Sequence, residues 1–173
     1  MVVRVMQFAA IGALTLAPPA TAQRAGSVEG GVFARYTKFD NTLGMGNAMG
    51  IGGRAAFYLS QTLAVEVDAG HASGNSIGYT PTHLRLVFDA PWSSRLDGLL
   101  GGGYVRNWYG APYALSDGGL SVLLGARYHL TSRTWLRFGA DLDFMIHTSD
   151  QSPFPFYHGN WGLHLGVGTR LRA

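Results

Sequence analysis

The segment from Gly159 to Leu171 reads GNWGLHLGVGTRL and sets the pattern for most of the chain. One set of alternate positions holds Trp161, Leu163, Leu165, Val167, Thr169 and Leu171, and the positions between them hold Gly162, His164, Gly166, Gly168 and Arg170. Successive side chains of a β-strand point to opposite faces, so this alternation predicts a strand with one apolar face and one small or polar face.

Seven earlier segments alternate in the same way between clusters of Gly, Pro, Asn, Asp and Ser, which are typical of turns. The predicted strands cover residues 27–38, 47–59, 63–72, 81–89, 97–107, 119–130, 134–146 and 159–171. In the fifth segment, apolar residues fall on both sets of alternate positions, which predicts a glycine-marked β-bulge there. The predicted fold class is all-β, an eight-stranded antiparallel up-and-down transmembrane β-barrel.

The amino terminus has the pattern of a secretory signal peptide, and we expect Met1 to Ala22 to be removed. Arg4 supplies a positive charge, residues 8–17 are apolar, and Ala20-Thr21-Ala22 fits a cleavage site. No later segment is a candidate for a transmembrane helix, which needs about 20 apolar residues. Residues 23–173 are therefore predicted to form a single barrel domain.

The composition narrows the classes of function. The chain has no cysteine, which excludes disulfides and thiolate metal sites. Its net charge of +3 falls to about +2 without Arg4, too little to predict a nucleic-acid partner. The six histidines form no His-x-His or His-x3-His pair, so no metal site is predicted, and we expect no cofactor.

The predicted connections alternate in length. The short ones cover residues 60–62, 90–94 and 131–133, and the long ones cover 39–46, 73–80, 108–118 and 147–158. With the amino terminus in the periplasm, all short turns fall on one side and all long loops on the other, which is typical of bacterial outer-membrane barrels. We therefore expect this location, with outer-membrane lipid and lipopolysaccharide around the barrel and the external loops as the surface for any protein partner.

Outside the fifth segment, whose two faces are not distinguished, charged side chains in the core of the strands occupy the positions opposite the apolar face. They are Glu29, Arg35, Arg54, Glu66, Asp68, Arg85, Asp89, Arg127, Arg137, Asp141, Asp143 and Arg170. A soluble sandwich or a lipocalin-like barrel also alternates, but its outer face would carry lysine, whereas Lys38 is the single lysine of this chain. Equal numbers of arginines and carboxylates suit a barrel interior in which each buried charge must be paired. An interior charge network is therefore predicted.

Aromatic residues cluster near the predicted strand ends, as an interfacial girdle requires. They are Tyr36, Phe39, Tyr58, Trp92, Tyr104, Trp108, Tyr109, Tyr128, Trp135 and Trp161. The alternative for some of them is packing in the core.

The hairpin GGRAAFYLSQTLAVEVDAG, residues 52–70, and the closing WGLHLGVGTRL resemble the transmembrane domain of the outer-membrane protein A family. The resemblance covers residues 27–171 and implies insertion by the barrel-assembly machinery. Longer members of that family continue into a peptidoglycan-binding domain, which the residues up to Ala173 do not include, so a cell-wall tether is not assigned. Such barrels usually end on an aromatic residue, where this sequence has Leu171-Arg172-Ala173.

These features predict a non-enzymatic barrel with an envelope-structural or surface-interaction role, because the interior of eight strands is only wide enough for its own side chains. One alternative is a small gated, porin-like channel. The other is a hydrolase, since His147 and Ser149 resemble in spacing the catalytic pair of the outer-membrane lipid A deacylases. The Asn that follows in that family is Asp150 here, and residues 151–173 contain no acid to orient the histidine.

Overall fold

The computed structural model describes residues 25–39, 45–147 and 159–172, so the predicted signal peptide lies outside the described residues. The described chain forms eight strands and no helix. They are β1 (Val28–Lys38), β2 (Ala48–Tyr58), β3 (Leu63–Gly74), β4 (Ile77–Pro91), β5 (Leu96–Tyr109), β6 (Ser116–His129), β7 (Thr134–His147) and β8 (Gly159–Arg172). Among these residues there is accordingly no helix that could cross a membrane.

Each strand pairs antiparallel with its neighbour in the chain, and β8 pairs with β1 to close the barrel. At the closing seam Val32 lies opposite Val167, and Arg35 lies opposite His164. Closure leaves no free strand edge, so the backbone hydrogen bonds of the sheet are made within the barrel. The predicted fold class, a closed eight-stranded antiparallel barrel, is confirmed.

The alternation of the sequence becomes an alternation between outside and inside. In β8, Leu165 on the outer face is 60% exposed, whereas His164 on the inner face is 6% exposed. The same contrast is found around the barrel, where 26 large hydrophobic side chains of the described residues are exposed. A soluble protein rarely exposes one continuous apolar surface of this extent, so the outer face is built for a hydrocarbon environment.

The two ends of the barrel differ. At one end, here called the turn end, β2–β3, β4–β5 and β6–β7 are joined by short turns. The other end, here called the loop end, carries the remaining connections. The predicted loop at 73–80 is wrong, because β3 and β4 extend to a tight turn at Asn75 and Ser76, both with positive φ (50° and 64°). The loop predicted at 108–118 is also shorter, spanning only residues 110–115.

The predicted bulge in β5 is wrong as well, since the pairing of β5 with β4 and β6 is continuous. Apolar residues occupy both faces there because part of the barrel interior is apolar. Leu99 is buried against Val87 and Leu123, while its neighbour Leu100 faces outward. Register shifts occur instead between Gly118 and Gly119, and at the start of β1.

Candidate functional site

The structure places the twelve charged residues predicted for the interior on the inner face of the barrel. Ten of them are buried, and Arg54 and Arg170 are partly exposed. Two further buried carboxylates, Asp97 and Asp117, were missed by the sequence analysis. Asp97 lies in β5, where the sequence pattern does not distinguish the inner from the outer face. Asp117 lies in the segment 108–118, which was predicted to be a loop. Continuous register along β5 and β6 brings both inward.

Near the turn end, the phenol of Tyr58 joins three charged side chains. Its hydroxyl lies 2.6 Å from Asp89 Oδ2 and 3.2 Å from Glu29 Oε2. Arg127 donates through Nη1 to the Tyr58 hydroxyl at 2.7 Å and to Asp89 at 2.9 Å, and its guanidinium lies 5.0 Å from the ring centroid of Trp135. We call Glu29, Tyr58, Asp89, Arg127 and Trp135 the turn-end cluster.

Next to the turn-end cluster, Arg137 reaches across the interior to Glu66 in a two-point ion pair. Its Nη2 lies 2.8 Å from Glu66 Oε1, and its Nη1 donates to Glu66 Oε2. Parallel hydrogen bonds of this kind are the strongest that an arginine makes with a carboxylate. Arg54 lies in the same region, and among the described residues it forms no ion pair; its guanidinium lies 5.8 Å from the ring centroid of Phe33.

Two aspartates of β7 form the centre of a larger network closer to the loop end. Oδ1 of Asp141 lies 2.8 Å from Nη1 of Arg85. Its Oδ2 lies 3.1 Å from Nδ1 of His164 and 3.4 Å from Nη2 of Arg35. These three partners come from β4, β8 and β1. Two of these strands, β1 and β4, do not pair with β7 in the sheet, so Asp141 connects parts of the barrel wall that are apart in the sheet.

The second aspartate, Asp143, accepts a hydrogen bond from Ser121 at 2.7 Å and faces His83 Nε2 at 3.3 Å. The other ring nitrogen of His83 lies 2.8 Å from Asp68, so carboxylates face both sides of the imidazole. The Ser121 hydroxyl donates to a carboxylate rather than to a histidine. This arrangement is not that of a serine activated by a base.

The loop end of the interior is closed by apolar side chains, which we call the loop-end plug. It consists of Phe39, Met45, Ala48, Ala72, Ile77, Tyr79, Tyr109 and Leu115. The rings of Phe39 and Tyr79 meet edge to face, with centroids 4.8 Å apart. The Tyr79 hydroxyl donates to Asn107 at 2.9 Å and accepts from Asn160 at 3.3 Å, which joins the plug to the polar interior below it.

Two small cavities lie between these groups. The first is lined by Glu29, Arg127 and Trp135 of the turn-end cluster. The second is lined by Arg35, Asp68 and His164. Arg54 and Glu66 line both cavities. Each leaves about 10 Å³ for the centre of a water molecule, close to the minimum that one water needs. Neither has room for a substrate or a cofactor.

Four aromatic residues predicted for the girdle lie inside instead. Phe39 and Tyr109 belong to the loop-end plug, and Tyr58 and Trp135 belong to the turn-end cluster. Trp92, Tyr104, Trp108, Tyr128 and Trp161 are exposed on the outside, and Tyr36 packs on Trp161 with ring centroids 5.8 Å apart. The prediction is wrong for the four inner rings because a position near a strand end does not determine which face of the sheet a side chain occupies.

Of the two residues suggested for hydrolysis, only one lies among the described residues. His147 is the last residue of β7, and Ser149 lies outside the described residues. Within the described residues, no group of three or more His, Asp or Glu side chains has an arrangement suited to a metal ion.

Comparison with solved structures shows the same fold in bacterial outer-membrane proteins. Neisserial surface protein A superposes with a TM-score of 0.66 at 16% identity, covering 85% of this chain and 97% of its own. The N-terminal β-barrel domain of OprF from Pseudomonas aeruginosa gives 0.62 at 16% identity, covering 86% and 100%. OprG from the same organism gives 0.62 at 14% identity, covering 90% and 100%. No family model matches the sequence, and no curated protein does.

At these identities the likeness establishes the fold alone. The architecture implied by the sequence resemblance, an eight-stranded barrel of the outer-membrane type, is confirmed.

Proposed function

We propose that the chain is an integral protein of the bacterial outer membrane with an envelope-structural or surface-interaction role and no enzymatic activity. The observation that carries the proposal is the outer face of the closed barrel, on which every strand exposes large apolar side chains. Outer-membrane lipid and lipopolysaccharide are then its immediate partners, and the barrel-assembly machinery inserts it after removal of the signal peptide.

The filled interior supports a role without transport. The loop-end plug, the ion pairs around Asp141 and the turn-end cluster follow one another along the barrel axis. An interior of eight strands is just wide enough for its own side chains. A diffusing solute would have to displace buried ion pairs, which is costly when the partners are left uncompensated.

The surface-interaction part of the proposal concerns the loop end. Two of its four connections are short, the turn at Asn75 and Ser76 and the six residues 110–115. The longest stretches of sequence between strands follow β1 and β7, and we propose that any protein partner contacts these. A barrel without such a partner retains the structural role.

Membrane fractionation combined with heat-modifiable gel migration tests the location and the fold together. The expected result is that the protein resists extraction by salt and carbonate, and that unboiled samples migrate differently from boiled ones. Extraction by carbonate together with identical migration would overturn the proposal.

Absence of hydrolysis has its own test. Lipopolysaccharide from cells that overproduce the chain is expected to keep all its ester-linked acyl chains. Loss of an acyl chain that is abolished by Ser149→Ala would instead establish a lipid A deacylase.

A second candidate function is a small gated channel, and one observation favours it. The two interior cavities share Arg54 and Glu66 as lining residues, so the Arg137–Glu66 ion pair lies at the point where they would join. If this pair gates conduction, Glu66→Ala raises the open probability in planar bilayers above that of the unaltered barrel. Absence of discrete channels from both proteins ends this candidate.

A further inference from the structure

One arginine lies on the outer face of the barrel, within a strand rather than at its end. The remaining described strands have only uncharged side chains on this face, except at their last residues. Arg106 lies three residues before the end of β5, and its side chain is on the outward face between Tyr104 and Trp108. The other charged side chains of that face in the described strands, Lys38 and Arg172, are the last residues of β1 and β8. A charged group on the lipid-facing side of a barrel is destabilising in proportion to its depth, so this position requires an explanation.

The environment of Arg106 directs its guanidinium towards the loop end. Nη2 donates to the hydroxyl of Ser116 at 2.5 Å, and Ser116 lies opposite Trp108, one step closer to the loop end. The aliphatic part of the side chain can then lie along the apolar surface while the charge reaches the polar boundary. Arg106 is accordingly placed at an interface rather than in the hydrocarbon core.

Other polar side chains occupy neighbouring positions on the same face. Thr82 is the cross-strand neighbour of Arg106 on β4, and Gly118 is its neighbour on β6. A methyl group at Gly118 would meet the hydroxyl of Tyr104, which shows that the phenol extends over this glycine towards the arginine. Arg106, Tyr104, Ser116 and Thr82 together form what we call the outer arginine patch.

Among the described residues, the patch has no negative partner. No ion pair in the described residues involves Arg106, and the outward face of the described strands carries no carboxylate. One positive charge with three hydroxyl groups beside it, framed by interfacial aromatics, is complementary to a phosphate. At the loop end of an outer-membrane barrel, the phosphate available at this depth belongs to the glycolipid of the outer leaflet.

We propose that the outer arginine patch binds a phosphate group of the lipid A headgroup of lipopolysaccharide. The inference rests on the proposed outer-membrane location with the loop end outside. It adds a specific lipid site to a surface that would otherwise contact lipid only through apolar side chains.

The test uses the complete barrel in maltoside micelles, which carry no phosphate, and follows backbone amide chemical shifts during titration. The probes are bisphosphorylated lipid A, the same lipid A without phosphates, and inorganic phosphate. With bisphosphorylated lipid A, we expect saturable shifts that centre on Thr82, Arg106 and Gly118. Lipid A without phosphates and inorganic phosphate at the same concentration are expected to give no saturable shifts there, since both the acyl chains and the charge contribute.

Arg106→Gln is expected to weaken the apparent affinity for bisphosphorylated lipid A about tenfold or more, as loss of a charged hydrogen bond implies. The affinity of Arg106→Lys should lie between those of the unaltered barrel and Arg106→Gln. An ammonium keeps the positive charge but lacks the two parallel N–H donors of a guanidinium. The matched control is Arg133→Gln, which removes an exposed arginine in the β6–β7 turn at the opposite end. It should bind as the unaltered protein does.

Equal affinity of Arg106→Gln and the unaltered barrel would overturn the proposal, and so would equal binding of the two lipid A species or saturable shifts confined to other positions. Heat-modifiable migration shows whether each variant folds, and the comparison of the two lipid A species needs no variant. A protein that is absent from the outer membrane refutes the proposed function itself. A barrel that is present there but binds lipid A independently of phosphate refutes only the patch.

Discussion

Arg137 and Glu66 are separated by 71 positions in the chain, yet both terminal nitrogens of the arginine contact the carboxylate of the glutamate across the interior of the barrel. The two residues belong to β7 and β3, which are not neighbours in the sheet. The contact spans the interior and depends on closure of the whole barrel. The pair is consequently a sensitive reporter of the packed interior.

Removing one member of this pair is expected to destabilise the barrel by about 3–5 kcal/mol, because the other charge is left buried without compensation. Replacing both, as in Glu66→Gln with Arg137→Met, should cost clearly less than the sum of the two single changes. Urea unfolding of the four proteins in lipid vesicles measures this double-mutant cycle. Additive effects would show that the two side chains are not coupled.

Tyr58→Phe tests the turn-end cluster. It removes the hydroxyl that contacts Glu29, Asp89 and Arg127, and loss of buried hydrogen bonds of this kind costs about 1–3 kcal/mol. Tyr128→Phe is the control, since that ring lies on the outer face, where a change within about 0.5 kcal/mol is expected. Equal unfolding midpoints for the two variants would contradict the interior placement of Tyr58.

Two adjacent glycines of β5 test the facing of that strand. A methyl group at Gly103 would meet the carbonyl oxygen of Leu84, whereas one at Gly102 would find nothing within 4 Å. Gly103→Ala is therefore expected to destabilise the barrel by about 1–3 kcal/mol through overpacking. Gly102→Ala should leave stability within about 0.5 kcal/mol. If the two effects are reversed in unfolding experiments, the facing of β5 is wrong.

The tight turn between β3 and β4 predicts a stabilising substitution. Ser76 adopts a φ of 64°, which glycine tolerates without the steric cost of a side chain. Asn followed by Gly is the preferred pair for a turn of this kind, so Ser76→Gly should raise the free energy of unfolding by about 0.5 kcal/mol. Ser73→Gly in the adjoining strand should lower it by about 0.5–1 kcal/mol. A destabilising Ser76→Gly would contradict the turn geometry.

Much of the fold could be predicted from local pattern. The eight strands, their order and the inward facing of residues such as Arg85 and Asp141 follow from a period of two, which each segment carries by itself. The β3–β4 turn was missed because Asn-Ser lacks the glycine that marks such turns. The facing of β5 was ambiguous because Leu99 packs against residues of other strands, which local pattern does not reveal.

The candidate sites depended more heavily on the tertiary structure. Sequence alone determined that arginines and carboxylates share one face and that the opposite face is apolar. Only the closed barrel decided that Arg137 meets Glu66 and that Arg35, Arg85 and His164 converge on Asp141. The physical reason is that alternation fixes the side of the sheet on which a residue lies, whereas contacts across the interior depend on the stagger of strands that closure imposes.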